Sequence, residues 1–265
     1  MKKLLALILA VVMIASVAVL AGCSNSQTTS SDETAADGTA DKATLTMATN
    51  AYFPPYEYYE GTEIVGIDAE IAAAIAKDLG MELEIVDIEF DSIIAGVQTG
   101  KYDMGMAGMT VTEERLQSVS FSTSYAKGIQ AIIVPEGSEI KNFDDIAAGE
   151  YKVGVQLSTT GDIYASEDLA DTKCEVVQYQ TGNDAVAALV AGKVQAVIID
   201  NEPAKSYVAA NEGLVVLETE YVEEDYAICF AKENKELLEK VNASLEKLIA
   251  DGTVQSIIDK YITAK

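Results

Sequence analysis

Three observations predict an α/β fold with a largely parallel sheet, built as two similar halves. Short apolar strand patterns alternate with helical patterns along most of the chain, the order that crossover-connected parallel strands require. A unit of helix, Gly-Lys turn and strand occurs twice: Val97-Gln98-Thr99-Gly100-Lys101 leads into a strand at Met104, and Leu189-Val190-Ala191-Gly192-Lys193 leads into one at Val194. Recurrence about one lobe apart points to two halves, although common helix-to-strand turns would give the same echo. The chain has 265 residues and 49% hydrophobic content, enough to fill real cores.

The elements follow in chain order. Lys2 and Lys3 precede an apolar run from Leu4 to Leu20, too short to span a membrane comfortably, so residues 1–22 read as a signal peptide. The run ends in Leu20-Ala21-Gly22-Cys23, which resembles the bacterial lipobox. That resemblance implies cleavage before Cys23 and lipidation of its sulfur, and more than one acyl chain there would hold the protein on the outer face of a membrane. From Ser24 to Lys42 the chain is Ser, Thr, Asp and Ala with few large apolar residues, so 23–42 is expected to be a lipidated cysteine and a flexible linker.

Leu45 and Met47 alternate with Thr44 and Thr46 in the first strand, and Leu83 and Ile85 with Glu82 and Glu84 in the second. Between them Ile67, Ile71, Ile75 and Leu79 recur every four residues along one helix face, with Gly80 placed for a left-handed C-terminus. A strand over Met104–Met106 follows, then a helix capped by Thr112, with Glu113 and Glu114 in its first turn. Val155 ends a further strand, and Asp200 closes the strand Val194–Ile199. Near Lys235 a long amphipathic helix begins, with Leu237, Leu238, Val241, Leu245, Leu248 and Ile249 as its core face; a short helix then runs to Tyr261. Cys174 and Cys229 lie in separate apolar runs and read as two buried thiols rather than a disulfide.

Composition excludes several chemistries. There are 18 Lys plus Arg against 43 Asp plus Glu, a formal charge of −25, so no surface exists to neutralise nucleic-acid phosphates. Histidine is absent, which removes Ser-His-Asp and Cys-His nucleophiles and histidine metal sites. No glycine-rich phosphate loop occurs, no carboxylate pair is singled out for catalysis, and no cofactor is expected.

What remains is a set of loops at strand ends, where open α/β sheets bind small ligands. In Ala107-Gly108-Met109-Thr110-Val111-Thr112-Glu113-Glu114-Arg115, the small residues admit a ligand to the backbone and Thr110 offers a backbone N–H and a hydroxyl. Arg115, one turn into the helix, is placed to point its guanidinium back toward the strand end; an arginine with loop amides is what a carboxylate requires. Asn50-Ala51-Tyr52-Phe53-Pro54-Pro55-Tyr56-Glu57 follows the first strand, and Phe90 ends another, so Phe53 and Phe90 together would sandwich a side chain, while either alone reads as core. Gln156-Leu157-Ser158-Thr159-Thr160-Gly161 opens a second helix with amides and hydroxyls. Asp200 on its own reads as a turn or cap residue.

Taken together, the Thr-Asn-Ala-Tyr-Phe-Pro-Pro-Tyr-Glu loop, the Gly66-Ile67-Asp68-Ala69-Glu70-Ile71 helix start and the Ala107 to Arg115 loop resemble the solute-binding proteins of polar amino-acid ABC transporters, from about Ala43 to Tyr261. The resemblance implies a two-lobed periplasmic-binding-protein-like fold of type II with two hinge-crossing strands, near Tyr125–Gly128 and Val222–Tyr226. Lobe 1 would comprise 43–125 plus 226–265 and lobe 2 126–225. It implies a non-enzymatic protein, expected as a lipid-anchored extracytoplasmic monomer that binds a free amino acid and delivers it to an ABC transporter permease. Arg115 would grip the α-carboxylate with Thr110, Thr159 and Thr160. Asp200 and the Gly108 carbonyl would take the ammonium. Phe53 and Phe90 would flank the side chain, with Ala107, Met109, Asn50 and Gln156 completing the ligand set. Asn50 stands where the family often has an aspartate that meets basic side chains, which counts against lysine and arginine; with Gln156 it points to a polar uncharged side chain such as glutamine or cystine, and basic amino acids remain open as cargo should acidic residues lie nearby in space. A cyclohexadienyl dehydratase-like enzyme and a sensor's ligand-binding protein are the competing readings.

Overall fold

The computed structural model describes residues 43–217 and 222–262. The signal peptide, Cys23 and the linker lie outside the described residues. Among the described residues no helix is long and apolar enough to cross a membrane.

Two sheets carry the chain. In the first, strand order is Glu82–Asp87, Thr44–Thr49, Met104–Gly105, Cys229–Ala231 and Val119–Phe121. Thr44–Thr49 runs parallel to Glu82–Asp87, with Thr44 opposite Glu82 and Thr49 opposite Asp87, and parallel to Met104–Gly105. In the second sheet the order is Glu175–Tyr179, Lys152–Gln156, Ala196–Asp200, Ala126–Pro135 and Leu214–Val216, and Glu223–Tyr226 also pairs with Ala126–Pro135. The expectation of a largely parallel sheet holds for strand direction, with one strand reversed in each sheet. Cys229–Ala231 runs antiparallel in the first and Ala126–Pro135 antiparallel in the second. The reason is connectivity: these are the segments by which the chain leaves one sheet and returns to it, so they enter against the direction of the crossover-connected strands. A small hairpin sheet, Tyr52–Phe53, Glu57–Glu60 and Glu63–Val65, stands above the first strand.

The two passages between sheets lie side by side. Glu223–Tyr226 pairs antiparallel with the start of Ala126–Pro135, with Tyr226 opposite Ala126 and Glu224 opposite Gly128. Their alternation is clear: Glu223 and Asp225 face out toward Lys127, while Glu224 and Tyr226 are buried.

Helix Ile67–Asp78 seats Ile67, Ile71 and Ile75 fully buried against Leu45 and Met47, as the four-residue recurrence requires. Leu79 caps it and Gly80 takes φ +68° beyond the cap. The repeated Gly-Lys turn proves identical in its bonding. Gly100 N–H donates to the Val97 carbonyl and Lys101 N–H to that of Gly96, while Gly192 donates to Leu189 and Lys193 to Ala188, with φ +69° at both glycines. Both are Schellman closures that drop the chain into the next strand.

Smaller corrections concern boundaries and faces. Phe90 does not end a strand; the strand stops at Asp87 and Phe90 opens a 3-10 turn to Ser92. The strand after Gly192 begins at Ala196 rather than Val194 and includes Asp200, and that after Lys101 spans only Met104–Gly105. Helix Lys235–Ala250 buries Val241, Leu245 and Leu248, but Ile249 is exposed and Ser244 takes a buried place instead. Cys174 and Cys229 are separate free thiols; Cys229 is buried, Cys174 only partly.

Candidate functional site

The strand ends of both sheets converge on one narrow cleft. Its walls hold Asn50, Phe53, Phe90, Ala107, Gly108, Thr110, Arg115, Gln156, Thr159, Thr160 and Asp200, together with Glu57, which sequence reasoning missed. Met109 was expected among them and is not there. Its side chain is fully buried beside Ile93, Val97 and Val119 beneath the first sheet, because the extended loop alternates faces and Gly108 and Thr110 take the cavity side.

Arg115 is 7% exposed. Thr112 caps its helix by accepting from the Arg115 N–H at 3.1 Å, which fixes the helix start and throws the side chain back over the loop. Nη1 donates to the Thr110 carbonyl at 2.7 Å and Nη2 to the Ser158 carbonyl at 2.9 Å, so one guanidinium ties loops from both halves. The Phe90 ring lies 5.4 Å from it. Burial works against the cation, and the charges of Glu224 and Asp200 oppose that loss.

Ser158 adopts φ +64° and lets Gln156 and Thr159 face inward. Thr159 caps helix Thr160–Asp168, its hydroxyl accepting from Asp162 N–H and donating to the Gln156 carbonyl. Gln156 Nε2 donates across the cleft to Asn50 Oδ1 at 3.0 Å, and Asn50 Nδ2 donates to the Ile88 carbonyl. The Thr110 and Thr160 hydroxyls, one from each half, stand 3.4 Å apart.

Asp200, expected to take an ammonium though on its own it reads as a cap, stands at the N-cap position of the following helix but makes no side-chain cap bond there. Its carboxylate instead accepts from the Tyr226 hydroxyl at the cavity floor. Burial, and then the charge of Glu224, push its pKa up to about 7. Gly108, at φ +53°, would put a Cβ 2.7 Å from the Phe53 ring, so only glycine lets that ring lie against the loop. Its N–H donates to Asp68 Oδ2 at 2.9 Å, and the Tyr125 hydroxyl donates to the same oxygen. Burial raises Asp68 to about 6.

Glu57 is 1% exposed; among the described residues its carboxyl oxygens receive no N–H or O–H donor, and its neighbour is the Asp68 carboxyl, to which its protonated form donates. Burial first and the Asp68 charge second push its pKa well above the usual carboxylate range. The signal for it lay in Pro54-Pro55: a reversal there pairs Phe53 with Glu57 across a hairpin, on one face. Glu224 and Gln130, also missed, support the floor. Thr110 Oγ1 donates to Glu224 Oε2 at 3.2 Å and Gln130 Nε2 to the same atom at 2.9 Å.

Residues 45–264 match the bacterial extracellular solute-binding proteins, family 3. The arginine-binding extracellular protein ArtP of Bacillus subtilis (strain 168) is 31% identical over 227 residues, covering 84% of this chain and 88% of the relative. A solved ancestral arginine-binding protein bound to arginine superposes with a TM-score of 0.80 at 38% identity, over 84% of this chain and 99% of its own. A solved ancestral amino-acid-binding protein described as a precursor of cyclohexadienyl dehydratase gives 0.76 at 33%, over 83% and 95%.

Proposed function

The chain belongs to the bacterial extracellular solute-binding proteins of family 3, and from that premise we propose that it captures one free amino acid between its two lobes outside the cytoplasm and passes it to an ABC importer. The observation that carries this is the meeting, in one cavity, of a single buried guanidinium from the first half, Arg115, and a buried carboxylate from the second, Asp200. A zwitterion presents the complementary pair. Its α-carboxylate falls to Arg115 with Thr110, Thr159 and Thr160, and its ammonium to Asp200 and the Gly108 carbonyl. Phe53 and Phe90 flank the side chain, whose end meets Asn50, Gln156 and Glu57.

The charge count narrows the cargo. Beyond the pair that matches the backbone groups, the cavity adds Glu57 and no second cation, so a side chain ending in N–H donors fits and a carboxylate side chain does not. Relatives named for arginine and for glutamine are consistent with that class. An arginine side chain offers more N–H donors to Asn50, Gln156 and Glu57 than a glutamine amide does, which places arginine ahead of glutamine.

Lobe 1 as 43–125 plus 226–265 and lobe 2 as 126–225 follow the two sheets, with closure on cargo bending the crossing strands. Cys23 bears the lipid, and the protein acts as a monomer.

A thermal-shift screen against the twenty amino acids plus cystine and ornithine tests the proposal, since cargo that binds only the native state raises Tm. L-arginine is expected to give the largest rise and L-glutamate and L-aspartate none; no rise with any amino acid overturns the reading. Solved-structure likeness to a dehydratase precursor makes an enzyme the rival. Prephenate or arogenate incubated with the protein is expected back unchanged, and product release would decide for the enzyme.

A further inference from the structure

The floor of the cavity is built by a strand that contributes no residue to its walls. Glu224 and Tyr226 are alternate residues of Glu223–Tyr226 and share its inward face. Tyr226 is fully buried and its hydroxyl donates to Asp200 Oδ1. Gly128, on the neighbouring crossing strand, makes room for it: a Cβ there would lie 2.2 Å from that hydroxyl. Glu224 is 4% exposed, and Gln130 Nε2 bonds it at 2.9 Å. Gln130 sits directly opposite Asp200 in the antiparallel register, and its amide reaches Asp200 as well. One amide thus stands between two buried carboxylates, and the hydroxyl of the next inward residue caps one of them.

We propose that the second crossing strand sets the charge of Asp200, with Glu224 and Tyr226 acting on it in opposite directions as positioning residues for amino-acid capture. The inference rests on the reading that Asp200 takes the cargo's ammonium. Physically, a carboxylate beside another in a dry floor disfavours its ionisation, while a hydroxyl donated to it favours the anion. Both effects are present at Asp200, on top of its burial. The other groups facing it are Arg115 from helix Glu113–Ser118, which favours the anion, and Tyr56 and Glu57 from the hairpin. Glu57 itself is driven toward its neutral form, so Glu224 is the anion that matters most. Since an ammonium is held by the ionised form, capture weakens as acid protonates Asp200, and the strand that bends on closure is the one that chooses the pH at which this happens.

The test is calorimetric titration of the full chain with L-arginine and L-glutamine from pH 5 to 9, with wild type, Glu224→Gln, Tyr226→Phe and Asp200→Asn, each checked for native melting at every pH. Wild-type affinity is expected to fall on acidification with a midpoint near neutrality. Glu224→Gln should move that midpoint down by about one pH unit and Tyr226→Phe should move it up by a similar amount, so that at the original midpoint affinity rises by just under about twofold in the first and falls roughly fivefold in the second. A residue that merely supports the fold weakens binding at every pH and moves no midpoint. Midpoints that stay in place, or move the same way, overturn the inference provided that Asp200→Asn abolishes the pH dependence. If Asp200→Asn keeps wild-type affinity and profile, the assignment of Asp200 to the ammonium is what fails.

Discussion

Arg115 is committed at three points before any cargo arrives: its N–H to the Thr112 cap, Nη1 to Thr110 and Nη2 to Ser158. Arg115→Ala should therefore cost about 3–5 kcal/mol of cargo affinity by calorimetry, and Arg115→Lys should recover little, since an ammonium cannot serve two carbonyls in a fixed fork. At Gly108 an alanine meets both the Phe53 ring and a left-handed backbone, so Gly108→Ala should weaken binding and lower stability by roughly 1–3 kcal/mol in denaturant melts. The buried acids give a pH signature. Native Asp200 and Asp68 hold protons up to about 7 and about 6, whereas unfolded aspartate releases its proton near about 4. Between those limits the native state binds more protons than the unfolded chain, so both groups destabilise progressively as pH rises from about 4, and fully above their folded values. Asp200→Asn should accordingly raise the cargo-free Tm at pH 8 and leave it nearly unchanged at pH 4; an equal shift at both would remove ionisation as the cause. Residues whose partners are close in sequence, such as Thr112 and Arg115, were readable from spacing alone. Glu224 was not, because its buried partners, Thr110 and Gln130, lie about a hundred residues away.

Among the elements, helix Ile67–Asp78 shows how far periodicity reaches. Its stripe is regular and meets a strand of matching alternation, so both faces were legible, and Ile71→Ala should cost about 2–5 kcal/mol in chemical unfolding. Helix Lys235–Ala250 shows where it stops. Ile249 continues the apolar stripe but falls in the last turn, beyond the surface that covers Leu245, and is 40% exposed. Ile249→Ser should change stability by no more than about 0.5 kcal/mol. The two Gly-Lys turns were legible because a Schellman closure needs its left-handed residue at a fixed place, whichever half contains it. Strand ends at Asp87 and Gly105 were not, since neighbouring strands rather than local sequence decide where pairing ceases.

For the molecule as a whole, the two halves are bridged away from the cavity as well as across it. The Tyr207 hydroxyl, from helix Asn201–Ala210, donates to the Tyr52 carbonyl of the hairpin, and neither residue lines the cavity. Tyr207→Phe should therefore speed cargo release and weaken affinity by about 0.5–1.5 kcal/mol, read by stopped-flow and calorimetry, without altering which amino acid is preferred. The amino-acid sequence by itself determined the class of fold, the recurrence of one unit in two halves and most of the helix faces, because each of these follows from spacing within a few turns of chain; the loops that ring the cavity were visible as strand ends, while the roles of their residues came from the resemblance to a family. Tertiary structure alone decided which strand of each sheet is reversed, the inward turn of Glu57 and Glu224 and the withdrawal of Met109 from the cavity into the core. It alone brought a guanidinium and a carboxylate, 85 residues apart in the chain, to one floor. Charge and burial at that floor depend on which distant groups share it, and no local pattern encodes such a neighbourhood.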